Sequence, residues 1–192
     1  MLPLFIDVSR LSLALVGNGD AALRRLRLLE EAGAGQLAVF AAEPTAALAL
    51  EAGARLERRW PTREELARAQ LIFLADAPPD VRLALSRAAR LLGVIVHAED
   101  EAALSDAQMP AVLRRGGLTL AVSTGGASPA LATRLRDFLS GLFGPEWRGR
   151  LEEVSRQRRV WREAGMAPAE IAALTDDWVS RRGWLSIFPS RH

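Results

Sequence analysis

The run Leu11–Val16 (LSLALV) ends directly on Gly17-Asn18-Gly19-Asp20-Ala21-Ala22, and the residues after it have helical spacing. A short, wholly apolar strand fits a parallel sheet buried on both faces. The apolar positions Leu23, Leu26, Leu28 and Leu29 and the charges Arg24, Arg25, Glu30 and Glu31 of the segment 21–32 have helical spacing, and Gly33 closes it. Strand, glycine turn and helix in immediate succession constrain the chain more than any other feature. The pattern G-x-G-x-x-A gives a tight turn at Gly17 and backbone access at Gly19, and Ala22 lets the helix lie close to the sheet. The first free N–H groups of that helix carry partial positive charge, which suits a dinucleotide's pyrophosphate. A purely structural turn between strand and helix is the alternative for the same residues.

The alternation continues. Leu37–Ala41 reads as a second strand and Thr45–Ala52 as a helix closed by Gly53; Leu56–Arg59 reads as a weak third strand. Pro61–Arg68 opens a helix with Thr62 three residues before Glu65, a capping box. Leu71–Ala75 is the fourth strand, Asp80–Leu92 a helix and Val94–Ala98 the fifth strand. Repeated strand-helix units predict an α/β fold, a Rossmann-like doubly wound parallel sheet whose strand C-termini share one ligand edge. Asp76 and Glu43 fall on the loops at that edge. With Gly17, Asn18, Gly19, Asp20, Ala21 and Ala42 they form the expected cofactor set. Glu43 is the acidic residue available to the adenosine ribose, although a solvated role is open to it; with no arginine just after the second strand, NAD is expected rather than NADP.

After Met109-Pro110 the character changes. Leu118–Val122 is one more strand, leading into Ser123-Thr124-Gly125-Gly126-Ala127-Ser128-Pro129, which is read as lying on the same ligand edge as Asp100. Ser128 caps a helix that starts at Pro129 and runs to about Leu142. Gly144-Pro145 interrupts the chain, and an arginine-rich helical region extends to Ser180; of the 5 tryptophans, Trp147, Trp161, Trp178 and Trp184 lie beyond this break. The expected division is 1–112 for the cofactor domain, 113–145 for a dimerisation and substrate-binding segment, and 146–192 for a C-terminal helical region.

Composition removes several chemistries. There is no cysteine, and the only histidines are His97 and His192, so thiolate chemistry and a multi-histidine metal cage are excluded. All 25 basic side chains are arginine, which excludes Schiff-base lysines and the P-loop lysine. Acidic pairs lie near the arginine pairs, so solvated mixed-charge helix faces are expected rather than a nucleic-acid surface. No segment has the length of apolar sequence that a membrane span needs, and a cytoplasmic protein is expected.

With these segments in view, the chain resembles the precorrin-2 dehydrogenase and sirohydrochlorin ferrochelatase family, the N-terminal module of siroheme synthases. The opening Leu2-Pro3-Leu4-Phe5-Ile6-Asp7 is similar to the family's start, and Gly17–Ala22 with Arg24-Arg25 is similar to its G-G-G-x-V-A-x-R-K segment. Asp100, nine residues before Met109-Pro110, stands where the family has the aspartate of N-V-V-D, and Ser123–Pro129 matches S-[ST]-G-G-x-S-P. The likeness covers about residues 2–142. It implies NAD-dependent oxidation of precorrin-2 to sirohydrochlorin in siroheme biosynthesis, in some members followed by ferrous iron insertion, and a homodimer. It makes Asp100 the general acid or base, where residue pattern alone reads a loop aspartate capping a helix. His97 is a proton shuttle or iron ligand on one reading and a structural strand-end residue on the other. Ser123, Thr124, Gly125, Gly126 and Ser128 become the substrate-carboxylate loop; Arg114 and Arg115, before the Gly116-Gly117 turn, pair carboxylates or sit at a solvated hairpin tip. Three departures stand out: Asn18 for a glycine, His97-Ala98-Glu99 for Asn-Val-Val, and Ala75 where many members carry threonine. Two other functions fit the cofactor turn, a chelatase alone and a non-catalytic NAD-sensing regulatory domain.

Overall fold

The structure is a computed structural model that describes residues 1–185. Two compact units follow one another, Met1–Met109 and a second beginning at Pro110.

The first unit is built on five parallel strands: β1 (Ser12–Val16), β2 (Gln36–Phe40), β3 (Leu56–Glu57), β4 (Leu71–Leu74) and β5 (Ile95–Ala98), in the order β3-β2-β1-β4-β5. The chain grows outward from β1 to β3, then returns to the other side of β1 with β4. The C-terminal ends of β1 and β4 are therefore where the crossovers diverge and leave a crevice. Helices α1 (Asp20–Glu31), α2 (Ala46–Ala52), α3 (Arg63–Arg68) and α4 (Pro79–Leu91) join the strands. Because side chains alternate along a strand, Leu13 and Leu15 enter one apolar layer with Leu26, Leu29 and Leu48. Ala14 and Val16 enter the other, with Leu66, Leu85 and Ala89. Both faces are covered, which explains why the central strands are apolar throughout.

The capping box at α3 forms as the sequence predicts: Thr62 Oγ1 accepts from Glu65 N at 3.3 Å, and the Glu65 carboxylate accepts from Thr62 N at 2.8 Å. The third strand is shorter than expected, two residues at the sheet edge.

The second unit corrects the reading of 110–128. Leu118–Val122 is a strand, β7, but it does not extend the parallel sheet; it pairs antiparallel with β6 (Ala111–Arg115), not read as a strand from its own residues, across the Gly116-Gly117 turn, which agrees with the hairpin-tip reading of Arg114 and Arg115. The loop 123–129 follows β7 and therefore belongs to this unit. Ser128 caps α5 (Pro129–Leu142) by accepting from Leu131 N at 3.1 Å, with Pro129 in the first turn. Helices α6 (Trp147–Glu163) and α7 (Pro168–Arg181) complete the unit.

Three of the tail tryptophans pack on one another within the chain. Trp184 meets Trp147 and Trp178 edge-on, at centroid distances of 6.5 and 5.6 Å, while the Arg150 and Arg182 guanidinium groups lie over the same rings. Among the described residues no helix is long and apolar enough to cross a membrane. His192 lies outside the described residues.

Candidate functional site

Helix α1 begins at the C-terminal end of β1, and its N-cap residue, Gly19, has no side chain to satisfy the first free amides. Asp76, on the loop after β4, supplies an acceptor instead. Its Oδ2 accepts from Ala21 N at 3.1 Å and stands 3.5 Å from Ala22 N. A Cβ on Gly19 would lie 2.6 Å from Asp76 Oδ2; one on Gly17 would collide with Asp76 Oδ1 and lie 2.9 Å from the Ala22 Cβ. Neither glycine has a positive φ. What these glycines leave room for is the Asp76 carboxylate and, at Gly17, the close packing of α1 through Ala22. Asp76 Oδ1 is buried and has no hydrogen-bond partner, an arrangement that costs about 1–3 kcal/mol.

Asn18 replaces glycine here without strain, since its φ is not positive. The residue ties two loops together: its side-chain Oδ1 accepts from Glu43 N at 3.1 Å, while its carbonyl accepts from Thr45 N at 2.8 Å. The loop after β2 is thereby fastened beside the α1 turn. Ala42 and Glu43 are exposed on that loop.

Across the crevice, β5 and the residues just after it carry His97, Glu99 and Asp100. His97 is buried against Phe73, edge to face at 5.7 Å. Its Nδ1 lies 3.0 Å from the Ala107 carbonyl and its Nε2 3.5 Å from an Arg25 Nη. A neutral ring carrying its proton on Nδ1 satisfies both: it donates to the carbonyl and accepts from the guanidinium. Burial, chiefly, and the nearby Arg25 push the His97 pKa below its ordinary value, against the opposite pull of the Ala107 carbonyl, Glu99 and Asp100. Arg25 also pairs with Glu99 at 3.4 Å and lies over the Phe73 ring. His97 thus has both ring nitrogens engaged inside the fold.

Asp100 is different. It is exposed, and its φ of 58° makes it the one non-glycine residue with positive φ among the described residues. Such a conformation costs an aspartate about 1 kcal/mol and persists only where the surroundings impose it. They do: Ser105 Oγ bonds both the N–H and the carbonyl of Ala98, Asp106 accepts from Val96 N at 3.2 Å and from Arg90 at 2.9 Å, and Arg82 pairs with Glu101 at 2.8 Å. Asp100 does not cap a helix; the short turn Ala102–Leu104 starts from Glu101 and has no side-chain cap. Asp100 instead lines an open depression of about 520 Å³ with Pro79, Leu83 and Leu104.

The fold therefore brings Gly17, Asn18, Gly19, Asp20, Ala21, Ala42, Glu43, Asp76, His97 and Asp100 to the strand C-termini of the first unit. Ser105 and Asp106 do not stand out in the sequence, and Arg25 and Glu99 do so only as part of the glycine-turn segment and of a departure from the family pattern, with nothing local to pair them.

In the second unit, the loop 123–129 is held by its own hydroxyls. Thr124 Oγ1 accepts from Ser128 N at 3.1 Å and donates to Ser128 O at 3.0 Å, and Ser123 Oγ accepts from Gly125 N at 3.2 Å. Gly125 and Gly126 have φ of 64° and 89°, conformations that favour glycine. Arg115 is spent on the Phe143 carbonyl at 2.9 Å, whereas Arg114 is exposed.

Residues 4–111 match the family described as "Putative NAD(P)-binding". The chain belongs to that family. Residues 115–141 match a second, described as "Sirohaem biosynthesis protein central". Similar proteins include the siroheme synthase of Xylella fastidiosa (strain M12), 34% identical over 83% of this chain and 34% of the relative. Another is the siroheme synthase of Stutzerimonas stutzeri (strain A1501), 34% identical over 90% of this chain and 41% of the relative. The chain thus spans well under half the length of the curated relatives it matches. A solved structure titled "SirC, precorrin-2 dehydrogenase" superposes with a TM-score of 0.76 at 24% identity, covering 97% of this chain and 94% of that one; at this identity the likeness speaks to the fold. The resemblance to siroheme synthases seen in the sequence is upheld.

The His97 environment gives a pH dependence. Its folded pKa is depressed, so the stability it contributes is complete above the unfolded value of about 6.5 and is lost as pH falls through the lower folded value. His97→Asn should flatten the stability profile below about pH 6.5 relative to the wild type. Urea unfolding at a series of pH values checks this; parallel profiles would contradict it.

Proposed function

We propose that this chain is an NAD-dependent dehydrogenase that oxidises precorrin-2 to sirohydrochlorin in siroheme biosynthesis. The observation that carries the reading is Asp100, an exposed carboxylate in a left-handed conformation at the end of β5, on the sheet edge that also holds the glycine turn of α1. Strain of this kind on a braced loop is a feature of functional positions.

The residues fit a dinucleotide. The amides of Ala21 and Ala22 donate to the Asp76 carboxylate, which supports reading the α1 terminus as a seat for an anionic group. In the proposed assignment the turn Gly17–Ala21 faces the pyrophosphate, and Ala42 and Glu43 border the adenosine ribose. An acidic Glu43 with no arginine beside it favours NAD over NADP. Bound NAD would supply the hydride acceptor.

The reaction removes a hydride and a proton from a reduced ring. Asp100 takes the proton as general base, and the bonds of Ser105 and Asp106 fix the carboxylate's backbone while it does so. Precorrin-2 is a polycarboxylate. Ser123, Thr124, Gly125, Gly126 and Ser128 form the loop assigned to its carboxylates: the hydroxyls shape the loop, leaving exposed glycine backbone for the ligand. The names of the similar proteins agree with this substrate.

A homodimer belongs to the same proposal. Along α5, Leu131, Leu135, Phe138 and Leu142 recur at helical spacing and are all exposed, a continuous apolar stripe suited to a second copy of the chain. The segment 113–145 is accordingly assigned to dimerisation and substrate binding, after a cofactor domain at 1–112 and before the helical region 146–192.

The test is spectroscopic. With precorrin-2 and NAD the protein should convert the absorbance to that of sirohydrochlorin while equimolar NADH appears; no NADH would refute the proposal. Asp100→Asn should lower turnover about 10²- to 10⁴-fold while leaving NADH affinity unchanged. Phe138→Glu should shift sedimentation from dimer to monomer, and a wild-type protein that sediments as a monomer would remove the dimer assignment.

A further inference from the structure

The cradle at the start of α1 is filled by a group of the chain itself. Asp76 Oδ2 lies 3.1 Å from Ala21 N, and the carboxylate sits in the space that glycine leaves open at positions 17 and 19. Three observations separate this from an ordinary helix cap. The acceptor comes from another strand's loop, 55 residues away, and not from the cap position. A side chain at either glycine would meet the carboxylate, although neither has a positive φ. And only half of the carboxylate is satisfied, since Oδ1 is buried without a donor.

We infer that Asp76 is a built-in competitor for the dinucleotide phosphate, a residue that sets cofactor affinity by holding the Ala21 and Ala22 amides itself. The inference rests on the dinucleotide reading given above. A diphosphate and a carboxylate are both anions, and both want the same N–H groups at the positive end of α1. They cannot share them, because like charges in contact repel strongly near a protein surface. Docking therefore requires the Asp76 side chain to turn away from α1. The unpartnered Oδ1 eases that movement, because it gains solvent on leaving. The competition weakens binding by the difference between the two occupancies and favours release of the cofactor after each turnover.

The test compares the full-length wild type with Asp76→Asn, which keeps an oxygen acceptor for Ala21 N but removes the charge. Titration calorimetry with NADH and, separately, with inorganic pyrophosphate reads the two ligands. Asp76→Asn should bind both more tightly, by about tenfold for the loss of one neighbouring like charge. Unchanged or weaker binding of both ligands, in a variant that unfolds at the wild-type temperature, would overturn the inference. If pyrophosphate tightens while neither protein binds NADH, the competition stands and the dinucleotide reading falls. If NADH binds the wild type and Asp76→Asn equally, the reverse holds. A measurement on the wild type alone guards against a misfolded variant. Adding pyrophosphate should shift the Ala21 and Ala22 amide resonances together with the Asp76 side-chain carboxyl carbon. Binding that leaves the Asp76 carboxyl signal in place would contradict displacement.

Discussion

The first unit depends on the placement of β1 between β2 and β4. Parallel pairing on both sides fixes its register, Leu15 opposite Val39 and Phe73, and buries it from both faces. With its edges taken, the chain leaves β1 only by turning over the sheet into α1, and the crossovers on either side run in opposite directions. The α1 amides are therefore presented at a crevice where no further strand can satisfy them. The topology leaves those amides open to an acceptor from elsewhere, and Asp76 supplies one from within the chain.

The same constraint accounts for the departures on β5. His97 and Glu99 are two residues apart along the chain and so project to one face, toward α1, where Arg25 lies. A buried guanidinium needs compensation, and it has a carboxylate, an imidazole nitrogen and the face of Phe73. His97-Ala98-Glu99 is best understood as one packing solution with Arg25. Asp100, the next residue, turns out of that arrangement through its positive φ and reaches solvent.

How far the sequence reveals this follows the range of the interactions involved. The central strands are legible because a strand buried on both faces needs an unbroken apolar run, and the helix starts because caps such as Thr62 with Glu65 act within one turn. β6 is not legible: five residues containing two arginines, one exposed and one bonded to a carbonyl in a later segment, have no strand signature of their own. Nor is the reason for the glycines. Gly17 and Gly19 suggest an open seat for phosphate, but the group that fills their space is set by the meeting of two strand ends. His97 is one position in the sequence, and its surroundings depend on a helix more than seventy residues earlier.

A crystal structure of the chain grown with NAD tests the central claim most directly. The pyrophosphate is expected over Gly17–Gly19 within hydrogen-bond distance of the α1 amides, with the Asp76 carboxylate turned away from Ala21 and Ala22 and the nicotinamide on the Asp100 side of the crevice. A dinucleotide bound elsewhere, or one bound while Asp76 still caps α1, would contradict it.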